Sequence, residues 1–226
     1  FLHKLMIFSV YSFLFSVILN VSMGVMESTH QYALYMITAM IPYFAFQEAV
    51  LTASQSLFAN SSILKKSTLP PILLPMVPVL STVVTEVISI LIIVLATWYL
   101  LEQISLSLLF LPVVMTARLI LSLSFGWILS ILTVFIQDLR QAIGLLLTLL
   151  MFLTPILYPV EMIPKSFIPW NNLNPFYHLL YAYRSIIIDG QLPGFGFYWT
   201  LLFAMILLIF SKVFFQKTIE RAREFI

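Results

Sequence analysis

Three ionisable residues stand inside long apolar runs of this chain: Glu48, Glu86 and Arg118. A charge at mid-bilayer costs roughly 2.5–3.5 kcal/mol on insertion scales, so each must face protein or water. Glu86 and Arg118 fall at comparable depths in what read as adjacent antiparallel spans, and a structural ion pair between them is the expected arrangement. Glu48 is the alternative partner for Arg118. A proton relay is the sharper chemistry, but the chain lacks the succession of acidic and histidine residues that such relays use. Extramembrane acids such as Glu27, Glu102, Glu161 and Asp189 are scattered singly, whereas metal-assisted transfer on a lipid-linked sugar calls for clustered carboxylates.

Other reactive constellations are missing from the sequence. His3, His30 and His178 lie on separate segments, which argues against a metal site. The absence of cysteine removes disulfides, thiolate ligands and thiol nucleophiles. There is no Gly-x-Ser-x-Gly elbow and no phosphate-binding Gly-x4-Gly-Lys-Ser/Thr loop. The chain is therefore expected to be no enzyme, to carry no cofactor, and to leave any ATP hydrolysis to another chain. Two features are softer. Phe8, Tyr11 and Phe15 recur on one helical face, which suits packing or lipid contact and equally a pore-lining stripe on which sugar rings could stack. The loop holding Lys65 and Lys66 adds positive charge to one side, and its length and helical pattern also suit a short helix docking a partner.

The elements that must position these residues are membrane spans. Of 226 residues, 62% are hydrophobic and only 9% charged, with a mean hydropathy of +1.07. A soluble surface needs about 25% charged residues to stay wet. The net charge of +2 and the lack of a basic, aromatic-interleaved cluster give no support for nucleic acid as a partner. Apolar runs near the length that crosses about 30 Å of hydrocarbon predict six spans: about 5–25, 32–58, 72–100, 107–136, 142–159 and 196–215, with a charged tail over 217–226. No signal-peptide cleavage site follows the first run. The sequence opens at Phe1 rather than Met, and a preceding N-terminal stretch is expected. No internal repeat is evident, so a secondary transporter built from inverted repeats gains no support.

Between the last two spans, residues 160–195 are rich in proline yet largely apolar. Asn174 suits a helix N-cap with Pro175 in first position, and Asp189-Gly190 a stop. The helix between them, about 20 Å long, is too short to span. A pair of short re-entrant or interfacial helices is the expectation. Lysine and arginine placement predicts both termini in the cytoplasm, with Lys4, Lys65, Lys66, Arg140, Lys212, Lys217, Arg221 and Arg223 inside and only Lys165 and Arg184 outside. Trp98-Tyr99, Trp170 and Tyr198-Trp199 then fall at the outer interface, where amphipathic rings prefer to sit. The whole reads as one all-α transmembrane domain over 1–226.

Four stretches resemble the membrane subunits of type-2 ABC exporters of lipid-linked polysaccharide, the O-antigen, teichoic acid and capsule permeases. Asn60 to Pro70, with Leu64-Lys65-Lys66 and Leu69-Pro70, resembles the family's cytoplasmic coupling helix. Phe135 to Arg140, with Asp138, is similar to its second cytoplasmic link. Leu153 to Pro159, with Pro155 and Tyr158, resembles the end of the fifth span. Leu173-Asn174-Pro175 followed by Ala182-Tyr183-Arg184 resembles the outer gate helices. Two departures stand out: nothing matches the family's opening amphipathic helix, and Gln137 stands where many members have arginine. The resemblance implies a homodimeric channel in the bacterial inner membrane, served by two ATPase subunits that hold ATP and Mg²⁺. A lipid-linked glycan would pass between the copies, surrounded by membrane lipid. The alternatives are an exporter of the same fold for a drug, peptide or lipid, and an integral membrane enzyme acting on lipid-linked sugars.

Overall fold

A computed structural model describes residues 29–66, 69–101 and 104–225. Every regular element among them is helical. The chain runs through α1 (Thr29–Ala59), a short α2 (Ser61–Lys66), α3 (Leu73–Leu101), α4 (Leu111–Phe135), α5 (Leu139–Leu153), two short helices α6 (Ile168–Leu173) and α7 (Pro175–Ile187), and α8 (Phe195–Glu224). One-turn 3-10 helices at Leu106–Phe110 and Val160–Met162 lead into α4 and follow α5. The first expected span, with Phe8, Tyr11 and Phe15, lies outside the described residues.

Four helices among the described residues are long and apolar enough to cross a membrane, namely α1, α3, α4 with its leading turn, and α8. The chain is a multi-pass membrane protein. The fifth expected span is shorter than its apolar run suggested: α5 has 15 residues, about 22 Å. It begins at Leu139 and stops at Leu153, not near Pro159. Pro155 has no N–H to continue the ladder and pushes Thr154 away from helical geometry. The opposite correction applies to α8, which continues through the charged tail to Glu224 and is about 45 Å long.

The chain divides into two compact units. The first combines residues up to Phe44 with Thr85–Met115 and Met151–Thr200, and the second combines Ala45–Val84, Thr116–Leu150 and Leu201–Ile226. In the second unit a core of Leu57, Leu64, Trp127, Ile131, Val134, Phe215, Ile219 and Ala222 joins α1, α2, α4 and α8. The Trp127 indole donates to the Ile72 carbonyl (3.2 Å), and the Thr133 hydroxyl to that of Ser54 (2.6 Å). A Cβ placed on Gly126 would come within 3.0 Å of the Ala53 Cβ. Small residues are thus what let α4 approach α1, as membrane helix pairs require.

The first unit is organised around α7. Leu179, Leu180, Tyr183, Arg184 and Ile186 are all buried, and the Phe176 ring meets Tyr43 edge-on at 6.4 Å. Ser107 donates to the Ile186 carbonyl (3.0 Å) and Ser105 to that of Gly190 (2.7 Å). Gly190 has a positive φ of 66°, the left-handed conformation that ends helices at glycine.

Candidate functional site

The break after α5 is where the sequence carries its most specific geometry. Beyond Pro155 three successive carbonyls lose their helical donors, and in a membrane each must be satisfied by protein. Side chains from elsewhere in the first unit supply the donors. Arg184 Nη1 donates to the Pro155 carbonyl and Nη2 to that of Ile156, both at 2.8 Å. The Tyr32 hydroxyl donates to the Leu157 carbonyl at 2.6 Å. Arg184 Nε reaches the Tyr35 carbonyl (3.1 Å), and its guanidinium lies over the Tyr35 ring, 3.5 Å from the centroid. A planar five-donor fork is the side chain suited to bracing several carbonyls at once.

Asn174 ties the same break to α7. Its Oδ1 accepts from the Phe176 N–H and its Nδ2 donates to the Thr154 hydroxyl, both at 2.9 Å. Pro175 begins the helix. Tyr158 donates to the Phe152 carbonyl (3.1 Å), and partial burial raises its phenol above the usual range. Pro159 is buried and precedes the 3-10 turn. The structure thus brings Pro155, Asn174, Pro175 and Arg184 into one network. Tyr32 and Tyr35 belong to it too, although the sequence reading used that segment only to begin a span.

In the second unit, the Asn60 side chain bonds the Ser56 carbonyl (2.8 Å), while its own carbonyl accepts from Ile63 and Leu64 and so opens α2. Leu64 is buried in the core, and Lys65 is exposed. Past α4, Gln137 and Asp138 are exposed, and the Asp138 carbonyl accepts from Gln141 and Ala142 at the start of α5. The Arg140 guanidinium lies over the Phe58 ring, 3.7 Å from its centroid, linking the end of α1 to the α4–α5 turn. Phe135 meets Phe225 near the end of α8 at 5.3 Å. Ile63, Leu69, Ile136 and Phe225 are exposed apolar groups set among charges, a composition suited to a protein contact.

The three intramembrane charges receive different settings. Glu86 is 1% exposed and accepts from the Tyr183 hydroxyl at 2.8 Å. Arg118 is fully buried and donates through Nη1 to Thr82 Oγ1 (3.0 Å) and, at the long limit, to Ser122 Oγ (3.5 Å). Glu86 belongs to the first unit and Arg118 to the second. Glu48 is exposed instead, and so are Thr52 and Gln55 on the same face of α1. Their spacing of i, i+4 and i+7 makes a polar stripe along an apolar helix. The sequence reading took Glu48 alone; testing polar positions for helical period would have found the other two.

Long apolar helices and an unwound segment braced by buried side chains define a multi-pass, all-helical membrane protein. The ABC-2 type transporter family matches residues 1–188, and the chain belongs to that family. It is a transporter's membrane subunit and not an enzyme, of the kind that pairs with an ATP-binding subunit. Among curated proteins, the chain is similar to the O-antigen export system permease protein RfbA of Klebsiella pneumoniae, 27% identical over 184 residues, covering 81% of this chain and 69% of the relative. A second Klebsiella pneumoniae protein of that name is 26% identical over 184 residues with the same coverage. The protein of that name from Myxococcus xanthus is 26% identical over 194 residues, again covering 81% and 69%.

Proposed function

We propose that this chain forms, with a second copy, the path by which a cell-envelope polysaccharide or its lipid-linked precursor leaves the cytoplasm across a bacterial inner membrane. The observation that carries this reading is the exposed stripe Glu48, Thr52 and Gln55 on α1. Facing hydrocarbon, a carboxylate there would be expensive; facing a water-filled path between two copies, it becomes a hydrogen-bonding surface for a hydroxyl-rich cargo. The export permeases to which the chain is similar support that cargo.

The remaining placements follow from this reading. The span at 5–25 and the shortened α5 complete six crossings, and α6 with α7 form the re-entrant pair on the outer side. Exposed Trp98, Tyr99, Trp170, Tyr198 and Trp199 lie in the first unit and mark its outer interface. The basic residues Lys65, Arg140, Lys217, Arg221 and Arg223 lie in the second, as the cytoplasmic excess of positive charge requires. Two ATP-binding subunits dock on α2 and the turn around Asp138 and Arg140, bringing ATP and Mg²⁺ with them. In the outer region, the network around Pro155, Asn174 and Arg184 holds the gate.

Deleting the gene and analysing surface glycans tests the cargo. Loss of a surface polysaccharide, with its lipid-linked form accumulating inside, is expected; an unchanged surface would overturn the reading. Reversing Lys65 and Lys66 to Glu tests the docking surface, since the ATPase should then no longer co-purify from native membranes. Undiminished co-purification would remove these lysines from the contact.

A further inference from the structure

Away from the gate network, the first unit holds a pocket of about 650 Å³ at the end of α3, within the range of about 300–1,000 Å³ typical of small-ligand sites. Most of its described lining residues are aliphatic, Ile104, Leu108 and Ile187 among them, although polar atoms make up the larger part of the surface that they expose to it. Three polar side chains interrupt that lining: Thr97, Ser105 and Asp189. Ser105 is committed to the Gly190 carbonyl. The buried Thr97 hydroxyl has no hydrogen-bond partner among the described residues, which is rare for a buried polar atom.

Asp189 is the only ionisable group among the described lining residues. It is exposed, and no hydrogen bond or ion pair reaches its carboxylate among the described residues. The nearby Arg184 guanidinium is occupied by the carbonyls of Tyr35, Pro155 and Ile156. The apolar wall behind Asp189 still removes enough water to raise its carboxyl above the usual range, against a lowering by Arg184. An arriving cation would relieve that cost. Trp98 and Tyr99 follow Thr97 near the end of α3, 53% and 83% exposed. Such rings prefer headgroup level, which suits a lipid headgroup as the occupant of a pocket beside them.

We propose that this pocket binds an aminophospholipid, its primary ammonium on the Asp189 carboxylate and its glycerol and upper acyl carbons against Ile104, Leu108 and Ile187. A primary ammonium supplies three donors to a carboxylate. A quaternary ammonium supplies none, and an anionic headgroup would meet Asp189 as a like charge. The site is independent of what the transporter carries.

Native mass spectrometry of the full chain, purified in detergent with its bound subunits, tests the assignment. The delipidated protein is titrated in turn with dioleoyl phosphatidylethanolamine, phosphatidylcholine and phosphatidylglycerol. Retention of the ethanolamine lipid is expected to exceed that of the other two by about tenfold, as one charge-assisted contact allows. Asp189→Asn should level the three. Ile104→Trp, a change at an exposed wall residue, should fill the pocket and lower ethanolamine-lipid retention to the level of the other two. Equal retention of all three lipids by the unaltered protein overturns the proposal, as does unchanged ethanolamine preference in Asp189→Asn. Should that variant fail to fold, Ile104→Trp decides: lost preference supports the site and retained preference overturns it.

Discussion

Helices α1 and α3 are both long apolar spans, and they dispose of their polar residues in opposite ways. On α3 the buried row is Val79, Thr82, Glu86, Ile90, Ile93 and Thr97, at helical spacing, while Val84, Ile88, Leu91 and Leu95 are 50–63% exposed. The carboxyl of Glu86 and the hydroxyls of Thr82 and Thr97 face protein, and the outward face is mainly aliphatic, with the small hydroxyl residues Ser81 and Thr85 among it, the solution that lipid demands. The second half of α1 places its carboxyl differently. It buries Ala49, Val50, Ala53 and Leu57 together with Ser54 and Ser56, and exposes Glu48, Thr52 and Gln55. The difference teaches that polarity inside a span has two uses: on α3 it holds the subunit together, and on α1, in the reading proposed above, it faces the cargo path.

That contrast is broken most violently on its buried side. Arg118→Leu removes the hydrogen bonds that Arg118 donates to the buried Thr82 and Ser122 hydroxyls and is expected to cost about 3 kcal/mol, two bonds from a charged donor at about 1.5 kcal/mol each. Thermal unfolding in detergent would show it as a large fall in midpoint. Tyr183→Phe comes next. It deletes only the hydroxyl donated to Glu86, and a hydrogen bond to a charged group is worth about 1.5–3 kcal/mol. Unchanged unfolding would show that this contact contributes nothing to α7's seat.

A smaller effect sharpens the comparison from within the second unit. Trp127→Phe keeps the aromatic bulk in the core but removes the indole donor to the Ile72 carbonyl. About 1 kcal/mol is expected, the net value of an ordinary hydrogen bond, again read by unfolding midpoint. A loss several times larger would shift the explanation to packing volume.

Much of the fold was legible because lipid makes helix placement a matter of apolar length. The spans around α1, α3 and α4 lie within a few residues of expectation, and Asn174-Pro175 announced α7 through capping chemistry. The ends of α5 and α8 were not legible. Residues 154–159 continue the apolar run, so hydropathy alone extends the helix through them. What stops it is Pro155 together with Arg184 and Tyr32, which are distant in sequence and able to satisfy the freed carbonyls. In α8 the charges from Lys217 onward read as a tail, although helical bonding continues to Glu224 because Phe215, Ile219 and Ala222 still have a core to enter. The site was legible as residues but not as networks. Arg184 could be named from sequence, whereas the three carbonyls that hold it could not.

The exposed side of the comparison carries the smallest expected change in stability, and for that reason the most information. Replacing Glu48, Thr52 and Gln55 together by Leu leaves every buried residue of α1 in place. Exposed substitutions of this kind usually shift stability by less than about 0.5 kcal/mol. Removing a carboxylate from the middle of a span should also ease insertion. If the stripe faces the cargo path, surface polysaccharide should nonetheless fall by about tenfold or more while the protein folds and binds its ATPase as before, because a hydroxyl-rich chain would meet a wall with no hydrogen-bond partners. A variant that unfolds by several kcal/mol would instead place these residues in a packing contact, and the distinction between α1 and α3 would disappear. A variant that folds and exports normally would leave the stripe facing neither cargo nor protein.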